Sequence, residues 1–140
     1  MKRKYFFVVL FLILAIFLAG CSGGTVTPAT DEAKVKSVIN EFYLAINDQN
    51  WNKARGYCVS GSDAYYGVFQ YEDLVDTIIQ YYGNATINCV VAVSNVSVYG
   101  SYATADVNGT LITTAGYEYA SEPISGTMTL QKIGNSWKIY

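Results

Sequence analysis

The sequence predicts an α+β fold: three N-terminal helices packed on a curved, mainly antiparallel four-stranded sheet, following a cleaved signal peptide. Three observations carry this. Apolar residues recur at i, i+3, i+4 through the stretch after Thr30. Beyond Gly83 the period drops from about 3.6 to about 2 and β-branched residues dominate. Glycine-containing pairs then punctuate the chain at Gly100-Ser101, Ala115-Gly116 and Gly134-Asn135, as hairpin turns do. Helices first and strands after is the α+β order, with the helices on one face of the sheet.

Residues 1–20 have the composition of an export signal. Lys2, Arg3 and Lys4 make a basic start, and Tyr5 to Leu18 is an unbroken apolar run of 14. That suits a signal core and falls short of the ~20 residues a spanning helix needs. Leu18-Ala19-Gly20-Cys21 follows. This quartet resembles the lipobox of prokaryotic lipoproteins, and the resemblance implies cleavage before Cys21 and lipidation of its sulfur. Residues 21–30 (CSGGTVTPAT) carry no charge and are small, Gly- and Pro-containing, the composition of a flexible tether. Residues 31–140 are then a single α+β domain.

The first helix starts at Asp31, with Thr30 as its N-cap and Asp31 and Glu32 at the positive end of its dipole. Val35, Val38, Ile39, Phe42, Ala45 and Ile46 form its apolar stripe, and Asn47-Asp48-Gln49-Asn50 ends it. Asn50 caps a short second helix in which Trp51, Ala54 and Cys58 share a face. Residues 59–70, with Gly61, Ser62, Asp63 and Gly67, are expected to be a loop displaying Tyr65, Tyr66 and Phe69. A third helix is expected from Tyr71 to Tyr82, with Gly83 beyond its end.

In the first strand Ile87, Cys89, Val91 and Val93 alternate with Asn88, Val90, Ala92 and Ser94, and then the phase shifts. Val96 and Val98 continue on the other parity, so a β-bulge is expected at Ser94-Asn95. The second strand, Tyr102 to Thr113, alternates Ala103, Ala105, Val107, Gly109 and Leu111 with polar residues. The third runs from Tyr117 to Ile133, with Glu122-Pro123 as the place where it would break. Trp137 to Tyr140 forms the last.

The helix order, the second helix opening Asn50-Trp51, the long hairpins and the ending Leu130-Gln131-Lys132-Ile133-Gly134-Asn135-Ser136-Trp137-Lys138-Ile139 resemble the nuclear transport factor 2-like superfamily. They are most similar to its small prokaryotic lipoprotein members. The resemblance covers residues 31–140 and implies a cystatin-like cone of bent sheet wrapped round a long helix, of the kind found in SnoaL and ketosteroid isomerase. It implies a pocket between sheet and helices, and no particular activity.

Composition narrows the function. The 140 residues contain no histidine, so the commonest general base and zinc ligand are missing. Loss of Lys2, Arg3 and Lys4 with the signal takes the formal charge from −2 to −5. An acidic domain with scattered charge does not suit nucleic acid or electrostatic docking on anionic lipid. No metal or other cofactor is expected.

With Cys21 lipidated, Cys58 and Cys89 are the remaining thiols of an exported protein. Either they form a disulfide, or they are separate buried thiols acting as small apolar side chains. Trp51, Tyr65, Tyr66 and Phe69 form the best candidate ligand pocket. Their alternative role is to close the open end of the cone. Some members of the resembled superfamily transfer protons with a carboxylate and a tyrosine in the cone. The candidates for that work are Asp106, Asp63, Tyr102 and Tyr117, although Asp106 also fits a solvated sheet face. Asn84, Asn95 and Asn108 begin Asn-X-Ser/Thr triplets, which a prokaryotic setting discounts unless the host is archaeal.

The expected protein is a lipoprotein anchored through acylated Cys21 to the outside of the cell membrane, or to the outer membrane in a Gram-negative host. Its head is expected to be a non-enzymatic module binding a small molecule, a glycan or an envelope protein. The alternatives are a small isomerase- or dehydratase-type enzyme and a structural spacer in an envelope assembly.

Overall fold

The computed structural model describes residues 29–140. The signal peptide at 1–20, Cys21 and all of the tether except Ala29 and Thr30 lie outside the described residues.

The first helix, α1, spans Asp31–Asn47. Thr30 caps it: the side-chain hydroxyl accepts from the Ala33 amide at 3.2 Å. Val35, Ile39, Phe42, Ala45 and Ile46 are buried as their spacing requires, and Tyr43 joins them. Helix α2, Trp51–Gly56, begins at Asn50, whose side chain accepts from the Lys53 amide at 3.1 Å.

Helix α3 spans Asp63–Tyr82 and corrects the loop expected over residues 59–70. Its N-cap is Ser62, a buried hydroxyl that accepts from the Tyr65 amide at 3.2 Å. Gly67 had argued against a helix here, since an interior glycine costs about 1 kcal/mol relative to alanine. One turn of tertiary packing overrides that cost: Val68 is fully buried on the same helix. Tyr65, Tyr66 and Phe69 are therefore helical residues. The helix stops at Gly83, at φ 80°, whose amide donates to the Ile79 carbonyl at 2.8 Å.

Strands β1 (Ala85–Tyr99), β2 (Tyr102–Ala115), β3 (Glu118–Ile133) and β4 (Ser136–Ile139) form an antiparallel meander in that order. The bulge falls between Ser94 and Ser97, where one extra β1 residue sits opposite the Asp106–Thr104 step. Asn95 takes the left-handed conformation there, at φ 48°. Gly109, paired with Val91, marks a close approach of β1 and β2: a Cβ would strike the Val90 carbonyl oxygen.

Strand β3 is continuous through Glu122-Pro123, where a break had been the alternative. The reason is positional. Strand β4 pairs only with Leu130–Ile133, so the rest of β3 is an edge. The Tyr140 amide bonds to the Thr129 carbonyl, so the odd-numbered residues turn their backbone groups away from β2. Pro123 has that parity, and its missing N–H removes no ladder bond.

The concave face packs on α1. Ile87, Cys89, Ala103, Ala105, Val107 and Leu130 meet Val35, Ile39, Phe42 and Ile46 in one core, closed by Trp137 and Ile139. This is a cone of bent sheet around a long helix.

Candidate functional site

Residues facing each other across adjacent strands share a sheet face, so the register locates the cone's lining. Cys89 pairs with Leu111, and Leu111 pairs with Glu122. Cys89 is buried in the core, so Glu122 is on the concave side too, in line with Ile124 and Met128, which pack against the core. Along α3, Tyr71 and Val75 turn toward the sheet. The concave side of β3 stays open beside α3: Glu118, Ala120 and Glu122 are all exposed. Here a groove of ≈ 320 Å³ runs between Ile78 and Tyr82 on one wall and Thr113, Ala120 and Glu118 on the other.

Deeper in the cone, Tyr43 stacks edge-on against Phe42 at 5.2 Å and directs its hydroxyl toward the Met128 sulfur, 4.0 Å away. Burial, with Tyr71 and Cys89 nearby, pushes the Tyr43 phenol up to about 12. Burial also raises Tyr71, helped by Cys89 and then by the charge of Glu122. Both phenols thus stay protonated, each with a hydrogen to donate. The Cys89 thiol is pushed up to about 11 by burial, which leaves it an unreactive lining group. Together these place two phenols and a thiol inside the cone, with the Glu122 carboxylate on its concave open side. Such a site suits neutral or cationic ligands with an apolar body and disfavours anions.

The residues proposed from the sequence lie elsewhere, apart from Cys89. Asp106 is on the convex face, one residue out of phase with the buried Ala105 and Val107, and this corrects its candidacy for the cone. Asn95 donates to it at 2.9 Å and Thr127 at 2.8 Å, and these bonds hold its carboxyl below the usual range. Tyr102 shares the convex face, Tyr117 is fully exposed in the β2–β3 turn, and Asp63 is exposed at the start of α3.

Tyr65, Tyr66 and Phe69 cluster edge-to-face on α3, with ring centroids 5.5 Å (Tyr65–Phe69) and 5.8 Å (Tyr65–Tyr66) apart. The Arg55 guanidinium lies 4.4 Å over the Phe69 ring and 2.5 Å from Glu72. This cluster ties α2 to α3, and Trp51 packs half-buried against the core. Cys58 and Cys89 are both free. Cys58 bridges to Ile139 on β4 and Cys89 sits on β1, so β2 and β3 separate them in the sheet. A disulfide needs Cα atoms within about 7 Å.

A separate cleft of ≈ 390 Å³ lies between the start of α1 and β4, lined by Lys34, Ser37, Tyr57, Trp137 and Lys138. Its cations are engaged already, Lys34 with Asp31 and Lys138 with the Gly56 carbonyl.

No protein-family model matches the sequence, and no curated protein matches it. Solved structures do match the fold. An NTF2-like protein with a cystatin-like fold from Novosphingobium aromaticivorans superposes with a TM-score of 0.60 at 12% identity, over 78% of this chain and 77% of that one. A candidate dehydratase of the NTF2-like family from Streptomyces avermitilis gives 0.61 at 15% identity, over 81% and 94%. The beta subunit of a benzoate 1,2-dioxygenase from Burkholderia mallei gives 0.55 at 17%, over 81% and 88%. The fold is therefore the NTF2-like, cystatin-like cone. At these identities the likeness extends to the fold alone.

Proposed function

We propose that this chain is a membrane-tethered binding domain of the cell envelope. Its ligand is a small neutral or cationic molecule held in the cone by Tyr43, Tyr71 and Glu122. The observation that carries the reading is the open concave side of β3, where the register puts Glu122 on the same side of the sheet as Cys89 and its charge acts on the Tyr71 phenol. The quartet ending at Cys21 supports the tether: a thioether-linked diacylglycerol supplies two chains, enough for stable attachment where one is marginal. Non-enzymatic binding suits the absent histidine and the unreactive Cys89.

A dehydratase- or isomerase-type reaction is the second reading, favoured by one observation. A carboxylate and a protonated phenol face the same space, which is the minimum equipment for moving a proton. The roles fall to Glu122 as base and Tyr71 as donor.

The test is to isolate the protein from its native membranes and analyse it intact by mass spectrometry. The reading predicts a diacylglyceryl modification on Cys21, lost in Cys21→Ala, and a small molecule retained by the native protein and released on Tyr71→Phe/Glu122→Gln substitution. A soluble unmodified protein contradicts the tether. A modified protein that never carries a ligand contradicts the binding role.

A further inference from the structure

The cleft between the start of α1 and β4 holds a feature that the cone does not share. Among the described residues, the indole nitrogen of Trp137 is the one buried side-chain nitrogen or oxygen without a hydrogen-bond partner. Trp137 is 2% exposed and forms part of the cleft's lining. A buried donor left without an acceptor is destabilising, and native proteins meet it with a protein group, a water or a ligand. Beside it lies the Asp31 carboxylate. Asp31 is on the same helical stripe as Lys34 and Val38, which line the cleft. Its Oδ1 accepts from Lys34 at 3.2 Å and its Oδ2 from Lys132 at 2.9 Å. Each oxygen has a second lone pair to offer. An unused donor and spare acceptor capacity therefore stand side by side at this end of the cleft.

Donor and acceptor counts decide what satisfies both. A carbonyl or carboxylate accepts from the indole but sets its other lone pairs against Asp31. An ammonium donates to Asp31 and leaves the indole unpaired. A hydroxyl does both: its oxygen accepts from Trp137 Nε1–H and its hydrogen goes to Asp31. The rest of the cleft repeats this preference. Ser37, Asn135 and Ser136 are exposed around it, and each can give and take a hydrogen bond. Ala33 and Val38 supply apolar wall, and Tyr57, its hydroxyl committed to Glu41 at 3.5 Å, adds a ring. Such walls suit the C–H faces of a sugar. The lysines are already engaged, Lys34 by Asp31 and Lys138 by the Gly56 carbonyl, so a neutral occupant fits best. The volume of ≈ 390 Å³ falls in the range of small-molecule sites, about 300–1,000 Å³.

We infer that this cleft is a carbohydrate site. It takes a neutral sugar unit, free or at the end of a glycan, with one hydroxyl bridging Trp137 Nε1 and Asp31. Tyr43, Tyr71 and Glu122 take no part in it, so this site and the ligand proposed for the cone are independent.

The test is an NMR titration of the full chain in dodecylphosphocholine micelles, which carry no sugar, followed at the indole N–H signals of Trp137 and Trp51. Methyl β-D-glucopyranoside and its N-acetylglucosamine counterpart are the single-unit probes, and chitotetraose is the chain. The Trp137 proton is expected to move downfield as it gains an acceptor, while Trp51, on α2 outside the cleft, stays in place. Ala33→Phe fills the cleft from an exposed position of α1 and is expected to weaken the sugars about tenfold with the fold unchanged. Tighter binding of chitotetraose than of the single units assigns the site to a glycan chain, and equal binding assigns it to a sugar unit alone; both support the inference. A Trp137 proton that stays put with all the sugars overturns it, which is the result if a water holds the indole. So does an equal movement with tetrahydropyran, the same ring without hydroxyls, or a movement that survives Ala33→Phe.

Discussion

Lys132 Nζ sits 2.9 Å from Asp31 Oδ2, fastening the first residue of α1 to β3 across 101 positions of chain. Lys34 adds a second bond at 3.2 Å from the next turn of the helix. The indole nitrogen of Trp137 is buried near this carboxylate without reaching hydrogen-bond geometry. This junction sets where the long helix enters the cone. The hydrogen bond from Lys132, then that from Lys34, holds the Asp31 carboxyl down at about 2. A carboxyl lowered in the folded state stabilises the fold above its unfolded value, and the contribution disappears as pH falls through the folded one. Thermal melts should therefore lose stability between about pH 4 and about pH 2, with a smaller loss in Lys132→Ala. An NMR titration of the Asp31 carboxyl should move back toward 3.8 in that variant.

Gly109→Ala should destabilise the sheet. The added methyl would run into the Val90 carbonyl oxygen and lie 2.8 Å from Val91 Cα. Both are backbone atoms, so the strands must separate. Overpacking of this kind costs about 1–3 kcal/mol or more, readable as a lower urea midpoint. Gly126→Ala is the control, since nothing lies within 4 Å of its Cβ position.

Asn47→Leu should cost about 1–3 kcal/mol, because it strips both partners from the Cys89 backbone. Asn47→Asp keeps the acceptor for the Cys89 amide and loses the donor to its carbonyl. It should fall between wild type and Asn47→Leu in denaturant melts.

The cysteines give a chemical check on the core. Burial pushes Cys58 and Cys89 each up to about 11. At about pH 8 roughly one thiol in a thousand is ionised, so alkylation of the folded protein should be slow at both. Unfolding in denaturant without reductant should release two reactive thiols. Release of none would indicate a bridge.

The fold was legible in the sequence because periodicity states which side of each element is buried. Val35 to Ile46 at helical spacing, and Ile87 to Val93 at alternate positions, placed α1 and β1 on the core, and the phase slip at Ser94-Asn95 marked the bulge. The start of α3 was hidden by Gly67, where local propensity opposed a contact made only in the tertiary structure, the burial of Val68. The site was harder to see. Its residues come from α1, α3, β1 and β3, and nothing local in the chain marks Tyr43, Tyr71 or Glu122 as neighbours. The available signal was parity: Glu122 is in phase with Ile124, Met128 and Leu130, and Asp106 is out of phase with Ala105 and Val107. Choosing the carboxylate by alternation selects Glu122 over Asp106.

Binding of small neutral or cationic molecules in the cone through Tyr71 and Glu122 can be followed by an NMR titration with 2-naphthol, 2-naphthylmethylammonium and 2-naphthoate. Shifts are expected at the Tyr43, Tyr71 and Cys89 signals with the first two probes and none with the carboxylate. Tyr71→Phe should weaken 2-naphthol by about fivefold, the worth of one hydrogen bond, and Glu122→Gln should abolish the preference for the ammonium over the neutral probe. Shifts confined to the outside of the molecule, or naphthoate binding as tightly as naphthol, would contradict it.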